Sequence, residues 1–481
     1  MKVVVVNPPW PGEGYGARSD VRWPHKRMDK YLEYPIYLAY IAAVLEEAGL
    51  EVAFVDAVME EMSIADFSEA VAKIRPDLVV MECSTPSIYH DLESARAAKE
   101  SFVGTFVALI GSHPTFFHQE ILKENPAIDA VIRGEAEITA RELALALADG
   151  DDLSRVLGLT YRRGDEVSVN PARPLIEDLD SLPFPARHIV PQEGYRAAIY
   201  SGERPTAMVS SRGCPYHCVY CLWPDTLYGH KFRARSAANV VDEMEHVVRD
   251  YGVDEIYFDD DCLTLSKKRV MEMCGHLLDR QVDVNWIVQA RVDSVDREVL
   301  AAMKEAGCHY ILFGVESGSP KMLGIMKKRI TLDRARQAFK DCRELGIKTQ
   351  AFFLFGVPGE TEETIEETIR FAKEIDADST QFAIAIPHPG TQLYQTCMDN
   401  GWLVFDSWED FAAENSLIET EELTREDVER ARIHAYRSYY FSPRFATRSL
   451  LRVRSLQDVK RLFRGGRSVL DRISFFQKHA E

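Results

Sequence analysis

Short apolar runs and amphipathic stretches alternate along the first 150 residues. Runs rich in β-branched residues at 3–6, 52–55, 78–81, 106–110 and 130–132 are separated by helical patterns at 37–48, 67–74 and 138–148. Strict alternation of strand and helix predicts parallel βαβ units, here a doubly wound sheet. Ligands of such a sheet settle outside the carboxyl ends of its strands. Those ends read Asn7-Pro8-Pro9, Cys83-Ser84-Thr85-Pro86, Gly111-Ser112-His113-Pro114-Thr115 and Arg133-Gly134-Glu135. Glycine, serine and proline are also ordinary loop formers, so a ligand site and plain turn chemistry are equally open on this pattern.

The alternation lapses between 151 and 205. A hairpin-like stretch at 158–169 is followed by Pro171, Pro174, Pro183, Pro185 and Pro191, which reads as an ordered linker. A second series then supplies strands at 207–210, 255–258, 285–289, 310–313, 349–355 and 379–386, with helices such as 237–251 and 361–375. Six repeats suit an open, partial (β/α) barrel, because residues 401–481 lack the two further units of a closed one. The expected fold is therefore α/β: a doubly wound parallel sheet over 1–150, a linker over 151–205, a partial six-stranded (β/α) barrel over 206–400 and a mainly helical C-terminal extension over 401–481.

A chain of 481 residues exceeds one ordinary core. Its formal net charge of −19 removes a general nucleic-acid binder, since neutralising phosphates takes a basic surface. The charge is uneven, because residues 432–481 hold twelve Lys or Arg against three Asp or Glu. No run of about 18 apolar residues occurs, and the opening MKVVVVNPPW lacks the regions of a signal peptide, so a cytoplasmic location is expected. Nine cysteines, an odd number, do not suit a disulfide framework in that compartment. Cys83, Cys262, Cys274, Cys308, Cys342 and Cys397 are scattered and read as small buried hydrophobes.

The other three cysteines are tightly spaced. Arg212-Gly213-Cys214-Pro215-Tyr216-His217-Cys218-Val219-Tyr220-Cys221 follows the first strand of the second series. Thiolates of Cys214, Cys218 and Cys221 at CxxxCxxC spacing can each reach a separate iron of a [4Fe–4S] cluster, which leaves the fourth iron open. An amino and carboxylate ligand such as S-adenosylmethionine fits that corner, where electron transfer into its sulfonium would release a 5′-deoxyadenosyl radical. Zinc is the rival reading; it usually takes four ligands, and only His217, inside the triad, stands near enough in sequence to complete the set. An amino-acid moiety on iron needs a carboxylate for its ammonium and a cation for its carboxylate. Arg291 is the candidate cation, with a pair to Asp293 as its plain structural alternative.

These residues resemble the radical S-adenosylmethionine superfamily, and specifically its cobalamin-binding-domain class, over roughly residues 1–400. Tyr220, immediately before the last cysteine, matches the superfamily pattern. The resemblance implies S-adenosylmethionine contacts at successive strand ends: Asp259 and Asp260 in Tyr257-Phe258-Asp259-Asp260-Asp261, Arg291 in Gln289-Ala290-Arg291, Glu316 and Ser317 in Gly314-Val315-Glu316-Ser317-Gly318, and Gly356 and Glu360 in Phe355-Gly356-Val357-Pro358-Gly359-Glu360-Thr361. Singly, each has a structural explanation, such as Thr361 serving as a helix N-cap with Thr364 in its first turn. The resemblance also implies that the first 150 residues bind cobalamin through Asn7, Pro8, Ser84, Thr85, Gly111, His113, Gly134 and Glu135. The DxHxxG signature that supplies a cobalt-ligating histidine elsewhere is absent, so cobalt is expected without that ligand.

Within the class, Cys221-Leu222-Trp223-Pro224, Gly229-His230-Lys231-Phe232-Arg233 and Phe258-Asp259-Asp260-Asp261 are most similar to enzymes that tailor hopanoids and archaeal membrane lipids, and also to anaerobic tetrapyrrole cyclases. The resemblance implies methyl transfer to an unactivated carbon; radical cyclisation, oxidation or carbon–carbon joining is the alternative, and a non-catalytic corrinoid or metal carrier a third. A small-molecule substrate, in one reading a lipid, and an electron donor such as flavodoxin or ferredoxin are the expected partners. Tyr439, Tyr440, Phe441, Leu450, Leu451, Leu462, Phe463, Phe475 and Phe476 alternate with arginines at helical intervals, as in interfacial helices that rest on anionic membrane. Packing of this tail across the acidic barrel is the competing expectation.

Overall fold

The structure, a computed structural model, describes residues 1–18, 24–27, 30–196, 199–412 and 415–451. Its N-terminal half is built on β1 (Lys2–Asn7), with the short pair β2 (Tyr15–Ala17) and β3 (His25–Arg27) in the loop that follows. Next come β4 (Glu51–Asp56), β5 (Leu78–Glu82), β6 (Phe106–Ile110), β7 (Ala130–Ile132), β8 (Leu159–Arg163) and β9 (Glu166–Val169). The sheet order is β4-β1-β5-β6-β7-β8-β9. The first five strands are parallel, and the hairpin β8–β9 adds antiparallel at one edge. The hairpin expected within the linker is thus part of the first sheet.

The valines of β1 show why a parallel sheet reads as continuously apolar. Val3 and Val5 pack under the helices Ile36–Glu47 and Glu137–Asp149, whereas Val4 and Val6 pack under Ile64–Ile74 and Ile88–Ser101, so both faces are covered.

The second half begins at β10 (Pro205–Met208). A two-stranded ribbon of β11 (Ser211–Arg212) and β12 (Arg233–Ala234) closes the cysteine loop, and β13 (Glu255–Phe258), β14 (Asn285–Ala290), β15 (Cys308–Glu316), β16 (Lys348–Phe355) and β17 (Ser379–Ile384) follow. All six long strands are parallel in the order β10-β13-β14-β15-β16-β17, the open partial barrel expected from the repeat count. Along β16, Ala351, Phe353 and Phe355 enter the core beneath the helices while Gln350, Phe352 and Leu354 stay half-buried on the other face. Ser236, Ser266, Asp296 and Thr331 each cap a barrel helix, and Thr361 with Thr364 forms a reciprocal capping box.

An open barrel leaves β17 with unpaired backbone groups, a hazard of exposed edges. The helix Arg425–Tyr440 covers it. Tyr440 Oη donates to Thr380 O at 2.7 Å and accepts from Thr380 N at 2.9 Å, Tyr436 Oη accepts from Phe382 N at 3.3 Å, and Tyr439 Oη donates to Ala377 O at 2.6 Å. Tyr439 and Tyr440 are therefore packing groups rather than membrane-facing ones. Of the other tail residues, Phe441 is exposed, the side chains of Leu450 and Leu451 are outside the described set, and Leu462, Phe463, Phe475 and Phe476 lie outside the described residues. No helix among the described residues is long and apolar enough to cross a membrane.

Candidate active site

The cysteine loop starts where the β11–β12 ribbon opens. Gly213 at φ 80° admits no side chain, since a Cβ there would stand 2.3 Å from the Lys231 carbonyl oxygen. Its N–H donates to Asp261 Oδ2 at 2.8 Å. Beyond it, His230 gathers the loop: Nδ1 lies 3.0 Å from the carbonyls of both Cys214 and Tyr216, and Nε2 lies 2.9 Å from Asp225 Oδ1. The His217 ring lies against His230, with centroids 3.9 Å apart. Cys214, Cys218 and Cys221 are half-exposed, whereas the other six cysteines are buried. Among the described residues no group of three His, Cys, Asp or Glu side chains is placed to hold one metal ion.

The carboxylates at the end of β13 hold this loop in place. Asp260 is fully buried; it accepts from Ser210 N at 2.7 Å and from the hydroxyls of Ser210 and Ser211, with Arg269 nearby at 3.9 Å. Burial pushes its carboxyl pKa up. Both of its oxygens serve strand ends, which makes it a positioning group rather than the expected ligand contact. The Asp259 backbone is tied on both sides, by Asp259 N to Met208 O and by Tyr37 Oη to Asp259 O.

Arg291 takes its structural alternative. It grips Asp293 through two hydrogen bonds of 2.9 and 3.0 Å, donates to Lys328 O at 2.8 Å, and lies 3.4 Å from the centre of the Tyr216 ring inside the cysteine loop. Glu316 has a different cation. A bulge between Gly314 and Glu316 shifts the register of β15 against β16, and Glu316 adopts φ 70°, an uncommon conformation for a residue with a side chain. That bend brings Glu316 to Lys328, 2.8 Å away and buried. A Cβ on Gly314 would meet both partners, at 2.5 Å from Glu316 Oε1 and 2.9 Å from Lys328 Nζ. Lys328 went unread because Lys327-Lys328-Arg329 resembles a solvated charge run; only the outer two are exposed.

The remaining barrel candidates sit behind this surface. Tyr220 packs against Met322, Met326 and Leu393, and burial raises its hydroxyl pKa. Ser317 is buried against the helix Glu362–Ile375, its hydroxyl 3.0 Å from Thr368 Oγ1. Gly356 at φ 83° donates its N–H to Glu360 Oε2 at 2.5 Å. Burial pushes the Glu360 carboxyl up to about 8, and its second oxygen is without a hydrogen-bond partner.

Across from the loop stand the N-terminal strand ends. Arg212, two residues before Cys214, donates to Glu137 Oε1 at 2.5 Å and to Glu135 Oε1 at 3.4 Å, all three side chains being buried. Arg233 of β12 holds the same Glu135 at 2.8 and 3.0 Å, and Glu135 Oε2 accepts from Ile176 N. Tyr37, Tyr40 and Tyr228 surround the Arg212 guanidinium. The motif placed Arg212 beside the cysteines but carried no sign of its partners 75 residues upstream.

Other candidates at these strand ends serve the fold as well. Asn7 accepts from Arg18 at 2.6 Å and donates to Asp56 at 2.9 Å, beside a fully buried Arg18–Asp91 pair. Pro8 is buried next to it. Ser84 donates its N–H to that same Asp91. Thr85 Oγ1 lies 3.1 Å from His113 Nδ1, Gly111 passes over Cys83 O where a Cβ would stand 2.2 Å away, and Gly134 N donates to Thr115 Oγ1. Trp408 of the C-terminal extension covers His113 at 5.2 Å between ring centroids. His388, after β17, is buried near His113 with neither ring nitrogen hydrogen-bonded. Burial lowers His113 to about 3 and His388 to about 4. The unspent donor and acceptor of His388 at this seam fit the polar rim of a ligand held between the two halves.

The family model described as the radical SAM superfamily matches residues 208–372, and that of the B12 binding domain matches residues 29–144. An uncharacterised methyltransferase of Pyrococcus horikoshii is 34% identical over 97% of this chain and 98% of its own length. An anaerobic magnesium-protoporphyrin IX monomethyl ester cyclase of Rubrivivax gelatinosus is 31% identical over 83% of this chain and 70% of its own. In three dimensions the fold is similar to the radical S-adenosylmethionine methyltransferase TsrM from Kitasatospora setae, with a TM-score of 0.66 and 21% identity over 83% of this chain and 75% of that one. The match along nearly the whole chain agrees with the cysteine loop and its place opposite the N-terminal strand ends: the protein belongs to the radical S-adenosylmethionine superfamily, in the class that carries a B12-binding domain.

Proposed function

We propose that the protein is a cobalamin-dependent radical S-adenosylmethionine methyltransferase that acts on an unactivated carbon of a small molecule. The observation that carries this reading is the lock of Arg212 onto Glu135 and Glu137, which turns the cysteine loop toward the N-terminal strand ends. The likeness to a methyltransferase along almost the entire chain supports it. Bound here, the cluster supplies the electron that splits S-adenosylmethionine to a 5′-deoxyadenosyl radical, and cobalamin supplies the methyl group.

The chain's own groups divide the work. Cys214, Cys218 and Cys221 hold the cluster, and His230, Asp260 and Asp261 fix the loop that presents them. Glu316 and Lys328, adjacent and of opposite charge, are placed for the ammonium and carboxylate of the amino-acid end. Residues 1–150 with the β8–β9 hairpin hold cobalamin, with His113, Thr85 and His388 at the seam; 170–205 links them to the barrel of 206–400, which 401–451 covers. Gln289, Tyr257, Phe352 and Gln381, half-buried or hydrogen-bonded to one another on the barrel strands, suit an uncharged substrate. A lipid retains no support from Tyr439 or Tyr440. The six buried thiols suit a reducing, cytoplasmic setting.

Radical cyclisation is the second reading, favoured by the likeness to the cyclase. The two separate in one incubation of the anaerobically reconstituted protein with methyl-deuterated S-adenosylmethionine and extract from cells lacking the gene. A product carrying the labelled methyl supports transfer; an unlabelled product formed together with 5′-deoxyadenosine supports cyclisation.

A further inference from the structure

A turn at residues 326–329 covers the cysteine loop on its outer side. Val219 N donates to Met326 O at 3.2 Å, and Cys218 Sγ approaches Lys327 O at 4.0 Å. Lys327 and Arg329 adopt φ 54° and 57°, so the turn alternates sharply: Lys328 points in to Glu316, and its two neighbours are exposed. Residues 320–336 carry six Lys or Arg against a single acid, Asp333, in a chain of net charge −19. An open groove of about 540 Å³ runs between Leu323, Lys327, Arg329, Ile330 and Arg336, and Lys321 and the partly exposed Ile325 lie on the adjoining helix Pro320–Ile325.

Reductive cleavage of a sulfonium consumes one electron for each radical formed, and that electron has to enter from outside the chain. We propose that the basic face of Lys321, Lys327 and Arg329 is the docking surface for an acidic electron-transfer protein of the flavin hydroquinone class. The donor flavin is oxidised by one electron to its semiquinone, and the electron passes across the 326–329 turn to the cluster held by Cys218, which is reduced by one. The chain's net charge of −19 repels such a donor overall, so a cationic face beside the cluster sets the orientation of encounter as well as its rate. The inference rests on the reading of the cysteine loop as the cluster site.

The test uses the full-length reconstituted protein, with 5′-deoxyadenosine formation driven either by photoreduced flavodoxin or by dithionite. For Lys321→Glu with Arg329→Glu, the flavodoxin-driven rate falls by roughly tenfold or more while the dithionite-driven rate stays within about twofold; the paired Gln variants give a smaller fall. Added salt slows the wild type with flavodoxin and has little effect on the Glu variant. A flavodoxin-driven rate unchanged in both variants overturns the proposal, as does an equal loss with both reductants in both variants. If the wild type produces nothing with either reductant, the cluster reading itself fails.

Discussion

Arg212 and Glu137 face each other at 2.5 Å across the boundary between the two sheets, both buried. One end of this pair lies two residues before Cys214 and the other begins the last helix of the N-terminal sheet. The relative placement of the two candidate cofactor sites therefore depends on a charged contact that cannot be loosened by halves.

Removing the guanidinium leaves Glu137 buried without its cation, while Glu135 keeps Arg233. Arg212→Met should lower the unfolding free energy by about 3–5 kcal/mol in a urea titration, while Glu137→Gln, which keeps a hydrogen-bond acceptor, costs less. A variant as stable as the wild type would mean that the pair does not join the halves.

Lys328 distinguishes a ligand-binding ion pair from a structural one. Lys328→Met should weaken S-adenosylmethionine binding by roughly tenfold or more, the size of one charge-assisted hydrogen bond, at unchanged iron and sulfide content. Lys328→Arg should recover part of it. Arg291→Lys instead loses the stacked contact with Tyr216 and should show its effect in cluster retention.

Burial gives His113 and His388 pKa values of about 3 and about 4 in the folded protein. Both titrate near 6.5 when unfolded, so unfolding takes up protons in mild acid; stability is full above about pH 6.5 and declines as the pH falls toward 4, by about 2 kcal/mol for each histidine at pH 5. His388→Leu should remove about half of the fall in urea midpoint between pH 7 and pH 5. Glu360 has the opposite sign. Its carboxyl is raised to about 8, so its stabilising protonated form is lost as the pH rises from the unfolded value through 8. Glu360→Gln, which still accepts from Gly356 N, should flatten that alkaline decline.

Tyr440 satisfies both backbone groups of Thr380 on the open edge of the barrel. Tyr440→Phe should cost about 1–3 kcal/mol, read from denaturant unfolding, and promote self-association measurable by light scattering. Tyr436→Phe, which strands one donor at 3.3 Å, should cost less.

The fold was legible wherever one pattern had one physical meaning. Four consecutive buried valines in β1 can hardly be anything except a strand covered on both faces, and CxxxCxxC on a loop after a strand leaves few chemistries. The hairpin at β8–β9 was readable as a hairpin, but its membership of the first sheet depends on pairing with β7, which no local pattern records. Long-range partners explain the site differences too. Arg291 sits two residues from Asp293, a pairing visible in sequence, whereas Lys328 meets Glu316 only because a bulge turns β15. Asp260 reads as a ligand-facing acid until Ser210 and Ser211 are seen to occupy it. Trp408 reaches His113 from the far end of the chain, through a segment with no helical or strand period.

The proposed reaction depends on three thiols from one loop holding a cluster with a vacant iron corner for S-adenosylmethionine. Electron paramagnetic resonance of the anaerobically reconstituted, reduced protein tests it most directly. The expected spectrum is a [4Fe–4S] signal that changes shape when S-adenosylmethionine is added and is absent from Cys218→Ala. A signal indifferent to S-adenosylmethionine, or a protein that carries zinc in place of iron and sulfide, would contradict it.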